Sequence, residues 1–561
     1  MTKYFVQNVG EVELEQRHFK AAGGEKNIYV KGNTAFAIYH NPTDMIPMAK
    51  IQELSVLQHP HIIRPQNLIL DKKNKPVGFT QQFVKDAVSL VKLFPKAFRN
   101  DNHISHEMML DLVKKLQEMV LYVHSSGILI VDLNELNFLT NNTFDNLWAI
   151  DVNSWQTPHF PATVIMPHIR DRHAKKFDQG TDWFSFGIVS FQMLIGLHPY
   201  RGGHPDFASL AADERLDARM KANVSALNSK STLPAAAQPL DVIPPALKQW
   251  YLNIFEKGER IAPPTDYEHF AKFVAKVKEI VGSNLFIMKE IETFPDIIVN
   301  VCSSGGIRVV QTESQLFINK HKFSTRKGLQ VGFTPKFNKP VGMYLENDLV
   351  IVVDLSTDNE LYRCSGDGVM SYDGRLYVKN GLNVIEVVFL ETTNKTIAAP
   401  KVVGTTLDLP EATKVLDGVI VQNLLGRHVV SVFPESGVCR QINIPELDGY
   451  RLIDAKFDKI LMVVAEKKGQ YDRFVFCFDK TYANHVVRIV KDTDYSGLNF
   501  TVAEHGVCVM INEEEKVEAF TASSNVKLMD DPAIDGDMRL FHDGTQILLA
   551  KGNKLFSMTM K

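Results

Sequence analysis

Cysteine is scarce in this chain. Five occur in 561 residues, Cys302, Cys364, Cys439, Cys477 and Cys508, far apart and with no C-x-x-C pair. An odd, scattered set argues against a disulfide framework and fits reduced thiols in a cytosolic compartment. A surplus of either charge is also missing. The 62 Lys and Arg against 65 Asp and Glu leave a net charge of -3, which gives no reason to expect nucleic acid or an acidic membrane as a partner. The longest apolar run, Trp183–Leu197, is too short to span a bilayer and carries Ser185, Ser190 and Gln192; a buried helix is expected there. The first residues, MTKYFVQNVGEVELEQ, are mixed and charged, unlike a signal peptide, so a cytoplasmic protein is expected. What is present has globular proportions, 45% hydrophobic and 23% charged. At this length two or three domains are expected rather than one core.

Chemistry concentrates in residues 124–155, HSSGILIVDLNELNFLTNNTFDNLWAIDVNSW. Two short apolar strands are expected, Ile128–Val131 and Leu147–Ile150. Each ends on a carboxylate, Asp132 and Asp151, and Asn137 lies between them. Carboxylate, amide, carboxylate is the set that phosphoryl transfer uses. One Asp orients the attacking hydroxyl, while the Asn and the second Asp hold Mg²⁺, a hard cation that takes few protein ligands and keeps several waters. Turns also use Asp and Asn freely, so the surroundings of the set decide its meaning.

Asp132-Leu133-Asn134-Glu135-Leu136-Asn137 resembles the protein-kinase catalytic loop, D-L-x-x-x-N, and Asp151-Val152-Asn153 resembles the D-F-G metal motif. Asp182-Trp183-Phe184-Ser185-Phe186-Gly187, followed by His198-Pro199-Tyr200, resembles the D-x-W-S-x-G helix of the kinase C-lobe. Ile150–Gln156, IDVNSWQ, is similar to the I-D-x-D-S-F-Q segment of bacterial and phage-borne eukaryotic-like serine/threonine kinases, whose loop reads G-D-L-N-x-x-N. The resemblance covers roughly residues 18–280. It implies a bilobal α+β domain that uses ATP and Mg²⁺, with Asp132 on the substrate hydroxyl and Asn137 and Asp151 on the metal.

The N-lobe carries the departures. Ala21–Tyr29, AAGGEKNIY, resembles the glycine loop, with Gly23 and Gly24 able to cradle phosphate. In the strand Ala35–His40 the family's phosphate-binding lysine is replaced by Ala37. In the helix expected over Met45–Leu57 the family's glutamate is replaced by Lys50. Lys26, at the third glycine position, matches the with-no-lysine kinases, which supply the phosphate-binding amine from that loop. Lysine is a point charge on a flexible stem and can reach a phosphate from either place, so Lys26 and Lys50 are both candidates. Gly78–Val84 resembles the hinge strand.

In the C-lobe, Ser105 is expected to cap a helix reaching His124, and Asp182 to cap the Trp183–Leu197 helix and brace the catalytic loop. Ile130-Val131 replaces the usual His-Arg, Asn134 the usual Lys, and Asn153 the Gly of the metal motif. Met166-Pro167-His168 stands at A-P-E without its Glu, which leaves Arg260 needing another partner. Residues 202–239, with a charged helix near Asp213–Leu227, read as a surface excursion, and 241–282 as two closing helices.

After about Glu290, short β-branched and aromatic runs alternate with turns. A weak repeat has first-turn residues Gly374, Gly418, Lys459, Gly506 and Gly544, in steps of 44, 41, 47 and 38. A period near 40 with several strands per unit is a blade signature, so an all-β domain of β-propeller type is expected, with a β-sandwich pair as the alternative. Residues 298–365 leave room for one or two more blades. The expected domains are an N-terminal arm (1–17), a kinase-like N-lobe (18–84) and C-lobe (85–282), a linker (283–297) and the β domain (298–561), which would recruit a protein substrate or scaffold partner. The functional expectation is an ATP-dependent protein serine/threonine kinase with atypical lysine placement, in a bacterial or phage-infected cytosol or on a virion. The alternative is a catalytically dead pseudokinase scaffold or nucleotide-sensing protein.

Overall fold

In the computed structural model seven strands open the chain: β1 (Thr2–Val6), β2 (Gly10–Leu14), β3 (Phe19–Ala22), β4 (Lys26–Lys31), β5 (Thr34–Tyr39), β6 (Leu68–Leu70) and β7 (Pro76–Gln82). They form one antiparallel sheet in the order β2-β1-β6-β7-β5-β4-β3. A two-residue turn, Gly32-Asn33, with Gly32 at φ +60°, closes β4 onto β5, as strand twist favours. Phe36 faces Val6, Leu14, Ile69 and Val77, while its neighbour Ala37 faces Tyr39 and Phe79; strand alternation thus sets both layers. β5 and β7 run so close at Gly78 that a Cβ there would collide with the Ala37 carbonyl. All residues are described except Met1, 266–281, 393–394, 494, 496, 504–505, 523 and 545, and the side chains of Ala212 and Asp213.

Residues 1–17 are not a separate arm. The β1–β2 hairpin extends the sheet through β6 and buries Val6 and Leu14. Helix α1 (Met48–Leu54) starts later than Met45 because Pro47 holds its N-cap, and a residue before proline avoids helical geometry.

The helical part of this first unit holds α2 (Lys96–Asp101) and α3 (His106–Ser125). Ser105 accepts the Met108 N–H at the start of α3, and Met109, Leu112, Val113, Leu116, Met119, Val120 and Val123 are buried at three- and four-residue spacing. Helix α4 (Gln179–Ile195) is buried on every face and ends at Gly196, φ +80°. Its cap is Asp178, which exchanges hydrogen bonds with Thr181, and not Asp182, which lies inside the first turn. The 202–239 segment is knitted into the lobe rather than excursive: the Ser225 N–H and Asn228 Nδ2 donate to the Glu256 carboxylate, and the Ala226 N–H to the Pro199 carbonyl. From α5 (Ala212–Ala222), the buried Arg219 donates to the carbonyls of Arg201, Gly202 and Val224 and to Ser231 Oγ. Helix α6 (Pro245–Phe255) follows; a second closing helix would fall on 266–281, outside the described residues. Arg260 finds its partner in Asp171, with Nε 2.6 Å from Oδ2 and Nη2 2.9 Å from Oδ1.

The second unit is all-β. Among the described residues it contains seven four-stranded antiparallel sheets. Six follow in chain order, over 298–324, 330–365, 368–405, 413–443, 451–490 and 500–529. The seventh takes three strands from 538–560 and its fourth from Phe286–Thr293, which pairs with Lys554–Met560. The stretch expected as a linker is therefore mostly a strand. Apolar cores lie between successive sheets: Val309 and Leu316 meet Ile351 and Val353, Val341 and Val350 meet Leu376 and Val378, and Met370 and Tyr377 meet Ile420 and Phe433. The series continues through Val419 with Phe457, Met462 with Phe500, and Val517 with Met538. The last core sets Leu548 and Leu555 against Val301 and Val310 of the first sheet, so the seven sheets close on themselves. The five repeats seen in the sequence are sheets three to seven, and 298–365 holds the other two.

The Asp171–Arg260 pair is nearly buried, with side chains 3% and 19% exposed. Removing one partner of such a pair strands the other charge and costs about 3–5 kcal/mol. Asp171→Ala and Arg260→Ala should each lose that much in urea unfolding, with the double variant losing less than the sum. Tryptophan fluorescence reads this cleanly, because Trp148, Trp155, Trp183 and Trp250 all belong to the first unit. Additive losses would deny the coupling.

Candidate functional site

Three short strands, β8 (Val88–Ser89), β9 (Phe138–Thr140) and β10 (Leu147–Ala149), form a small sheet in the order β10-β9-β8. Pairing of Ala149 with Phe138, continued by the Ile150 N–H donating to the Asn137 carbonyl at 2.9 Å, brings Asn137 and Asp151 to the same end of the hairpin. The strand expected at Ile128–Val131 does not form beyond a single bridge from Leu129 to Gln156. The N–H groups of Ile130 and Val131 go instead to the two carboxylate oxygens of Asp182, each at 2.8 Å. Asp182 is fully buried and also holds His124 Nε2 at 2.9 Å. Val131 consequently sits at φ +62°, a conformation a β-branched residue adopts only when its surroundings impose it.

That constraint aims the next residue, Asp132. Its Oδ1 accepts the Met166 N–H at 2.8 Å. Its Oδ2 has a longer contact, 3.4 Å, with Asn137 Nδ2, which also donates to the Asp132 carbonyl at 3.1 Å. With its NH₂ spent there, Asn137 keeps its amide oxygen for another ligand. Burial raises the Asp132 pKa above the usual carboxylate range and the charge of Asp151 adds to this, against the Met166 N–H, Asn134 and His168. Asn134, fully buried, accepts the Leu136 N–H and is a brace within the loop.

Lys26 begins β4 and reaches across to the far side of the site. Its ammonium lies 3.1 Å from Asp151 Oδ1 and 3.0 Å from Asn153 Oδ1, with the rings of Phe79 and Tyr39 at 5.6 and 5.8 Å. Burial pulls its pKa down most strongly, but Asp151, Tyr39 and Glu25 together outweigh burial and leave it raised. Asp151 stands at φ +57°, and among the described residues no group hydrogen-bonds its other oxygen. Lys50, on α1, is 6% exposed and, among the described residues, has no hydrogen-bond or ion-pair partner. Burial lowers its pKa, with Asp151 and Glu53 the acidic charges that oppose the shift. The structure therefore gathers Asp132, Asn137, Asp151, Lys26 and Lys50. The glycines stand apart: Gly23 and Gly24 are exposed, and the Gly23 N–H is committed to the Lys26 carbonyl. That bond makes the loop a tight hairpin.

One pair was not foreseen from the sequence. His168 Nε2 lies 3.0 Å from the buried Glu135. Burial depresses its pKa, but Glu135 and Asp132 more than offset this and hold it raised. His168, its charged form favoured by Glu135, thus stands within electrostatic range of Asp132, on a loop where Asn134 offers no cation. The neighbouring His198 is the opposite case, its pKa pushed well down by burial and by His168, and it donates to the His168 carbonyl at 2.9 Å. Sequence spacing holds no signal for the pair, because its members stand 33 positions apart with the β9–β10 hairpin between them.

An amide oxygen beside a carboxylate with one unengaged oxygen suits Mg²⁺, which needs one or two protein oxygens. Among the described residues no group of three or more His, Cys, Asp or Glu could hold a metal, and no helix is long and apolar enough to cross a membrane.

No family model matches the chain. Ribosomal protein S6 kinase alpha-1 is 25% identical over 172 residues in both Mus musculus and Homo sapiens, and ribosomal protein S6 kinase 2 alpha of Gallus gallus is 24% identical over the same length. Each alignment covers 28% of this chain and 22% of the relative, so the chain spans about a fifth of the curated relatives it matches. The solved structure of the Cydia pomonella granulovirus kinase, PK-1, overlaps 43% of this chain and 88% of its own, at 11% identity and a TM-score of 0.31. The first unit is protein-kinase-like.

Two outcomes follow for stability. The native pKa of Asp132 lies above that of an unfolded carboxylate, so its charge weakens the fold at neutral pH, and the weakening is relieved as pH falls through the native pKa. Asp132→Asn, which mimics the protonated group, should melt at or above the wild-type temperature at neutral pH, with the gap closing as the buffer is acidified. Asp182→Ala should do the reverse, since each buried N–H left unsatisfied costs about 1–3 kcal/mol; a wild-type melting temperature in that variant would contradict the bracing role.

Proposed function

We propose that the first unit is an ATP- and Mg²⁺-dependent protein serine/threonine kinase whose phosphate-binding cations have moved to Lys26 and Lys50. The observation that carries this reading is the Lys26 ammonium against Asp151, across from a strand where Ala37 supplies no amine. A site that had lost its chemistry has no physical need to bury a second, unpaired amine beside the first. When bound, ATP with Mg²⁺ would supply the phosphoryl group. Asn137 and Asp151 offer oxygens to the metal. Lys26 and Lys50 would offset phosphate charge. Asp132 takes the acceptor hydroxyl's hydrogen at Oδ2, and its raised pKa brings it nearer the working range of a general base. His168, when protonated, would supply positive charge near the acceptor that Asn134 does not.

For the second unit we propose a seven-bladed β-propeller that recruits a protein substrate or scaffold partner. The closed series of cores and the last sheet completed by an early strand favour it over a sandwich pair.

A nucleotide-sensing scaffold is the second reading, favoured by Ala37 and by the committed Gly23 amide. Two measurements separate the readings. ATP with Mg²⁺ at about 100 times its Kd should stabilise the protein by about 2.7 kcal/mol, and a thermal shift should vanish in Lys26→Ala. Phosphate incorporation should fall about 10²–10⁴-fold in Asp132→Asn and about 100-fold in Lys26→Ala. Equal incorporation by wild type and Asp132→Asn would end the kinase reading; a shift without incorporation would leave the sensor.

A further inference from the structure

A groove of about 440 Å³ is lined by Thr163, Val164 and Ile165, by the basic Arg170, Lys175 and Lys176, and by one carboxylate, Asp171. Its size is that of a binding cleft for a few side chains. The three basic residues are exposed and, among the described residues, none has an acidic partner. The carboxylates around them are already engaged. Asp171 is held by Arg260, Asp217 by Arg172 and Lys221, and Asp178 caps α4. Three uncompensated positive charges therefore face one groove in a chain whose net charge is -3, so the basic character is local.

The groove also has a fixed relation to the catalytic carboxylate. Ile165 forms its wall, and the next residue, Met166, donates its N–H to Asp132 Oδ1 at 2.8 Å. A chain lying along Thr163–Ile165 is thus one residue away from the group that would receive the acceptor hydroxyl's hydrogen. Val164, 70% exposed, adds an apolar contact on the same wall. We infer that this groove seats the acceptor segment, and that the preferred substrate is an acidic polypeptide, with Asp, Glu or phosphorylated residues flanking the serine or threonine. This rests on the kinase reading and specifies the substrate class of the same site. A nucleic acid fits less well, since the cations line a short groove and not an extended track along a backbone.

The test uses the full chain and two readouts. The first needs no nucleotide: anisotropy of a fluorescein-labelled peptide with one serine flanked by glutamates, compared with the same peptide carrying glutamine or lysine instead. The acidic peptide should bind about tenfold or more tightly than the glutamine peptide, weaken steeply as salt rises, and lose that advantage in the triple variant Arg170→Gln, Lys175→Gln, Lys176→Gln. These are surface positions, so the variant's unchanged melting temperature controls for folding. The second readout is transfer from ATP with Mg²⁺. The triple variant should raise KM for the acidic peptide about tenfold with little change in kcat, and leave the glutamine peptide unaffected. Acidic-peptide binding without transfer would keep the groove and discard the kinase reading. Transfer with no preference for acidic peptides, or a preference the triple variant keeps, would overturn the groove and spare the kinase. Displacement of the peptide by an equal concentration of single-stranded oligonucleotide would overturn the assignment to a polypeptide.

Discussion

Asp182 has no exposed surface, and its two oxygens are shared among His124 and the N–H groups of Ile130 and Val131. A buried carboxylate is costly unless several donors satisfy it, and here three do. Because two of those donors belong to consecutive residues, the loop cannot continue as a strand. Val131 is forced into left-handed geometry, and Asp132 emerges where the Met166 N–H can fix one of its oxygens. Through the Asn137 amide the same loop is tied to the hairpin that carries Asp151. The geometry of the site therefore rests on one side chain of α4, a helix otherwise devoted to the apolar core.

Around that fixed frame, on the kinase reading proposed above, positive charge is redistributed rather than lost. The strand position is Ala37, tucked against the backbone of Gly78 and facing Tyr39 and Phe79. Lys26 comes from the adjacent strand to the same place, passing over those two rings. Lys50 arrives from α1. His168, paired with Glu135, lies within electrostatic range of Asp132, where Asn134 brings no charge. Arg260, with no Glu after Met166-Pro167 to bind, is held by Asp171 through both oxygens. Electrostatic interaction depends on distance and surroundings and not on which element carries the charge, so each substitution can be made from a new position.

The second unit solves a different problem. Each of its sheets has two apolar faces, and a sheet standing alone would leave both in water. Packing sheet against sheet buries every face only if the last meets the first. Leu548 and Leu555 against Val301 and Val310 make that junction, and pairing of Phe286–Thr293 with Lys554–Met560 secures it with backbone hydrogen bonds.

Much of this was legible in the residues. The apolar spacing of α3, the all-round hydrophobicity of α4, the order of Asp132, Asn137 and Asp151, and the period near 40 of the β unit are local patterns. Local propensity and periodicity act within a few turns of chain, and a sequence displays them directly. Lys26 was a candidate from its place in the hairpin, yet its contact with Asp151 spans 125 residues. That Asp182 braces the loop was expected, though not which donors it binds; the roles of Asp171 and His168, the strand hidden in residues 283–297 and the joining of the hairpin at residues 1–17 to the sheet were not legible. Each depends on a partner remote in the chain, and only folding decides which distant groups become neighbours. The sequence by itself determined the elements and the chemical groups; the tertiary structure decided their pairings, because burial and charge act through space.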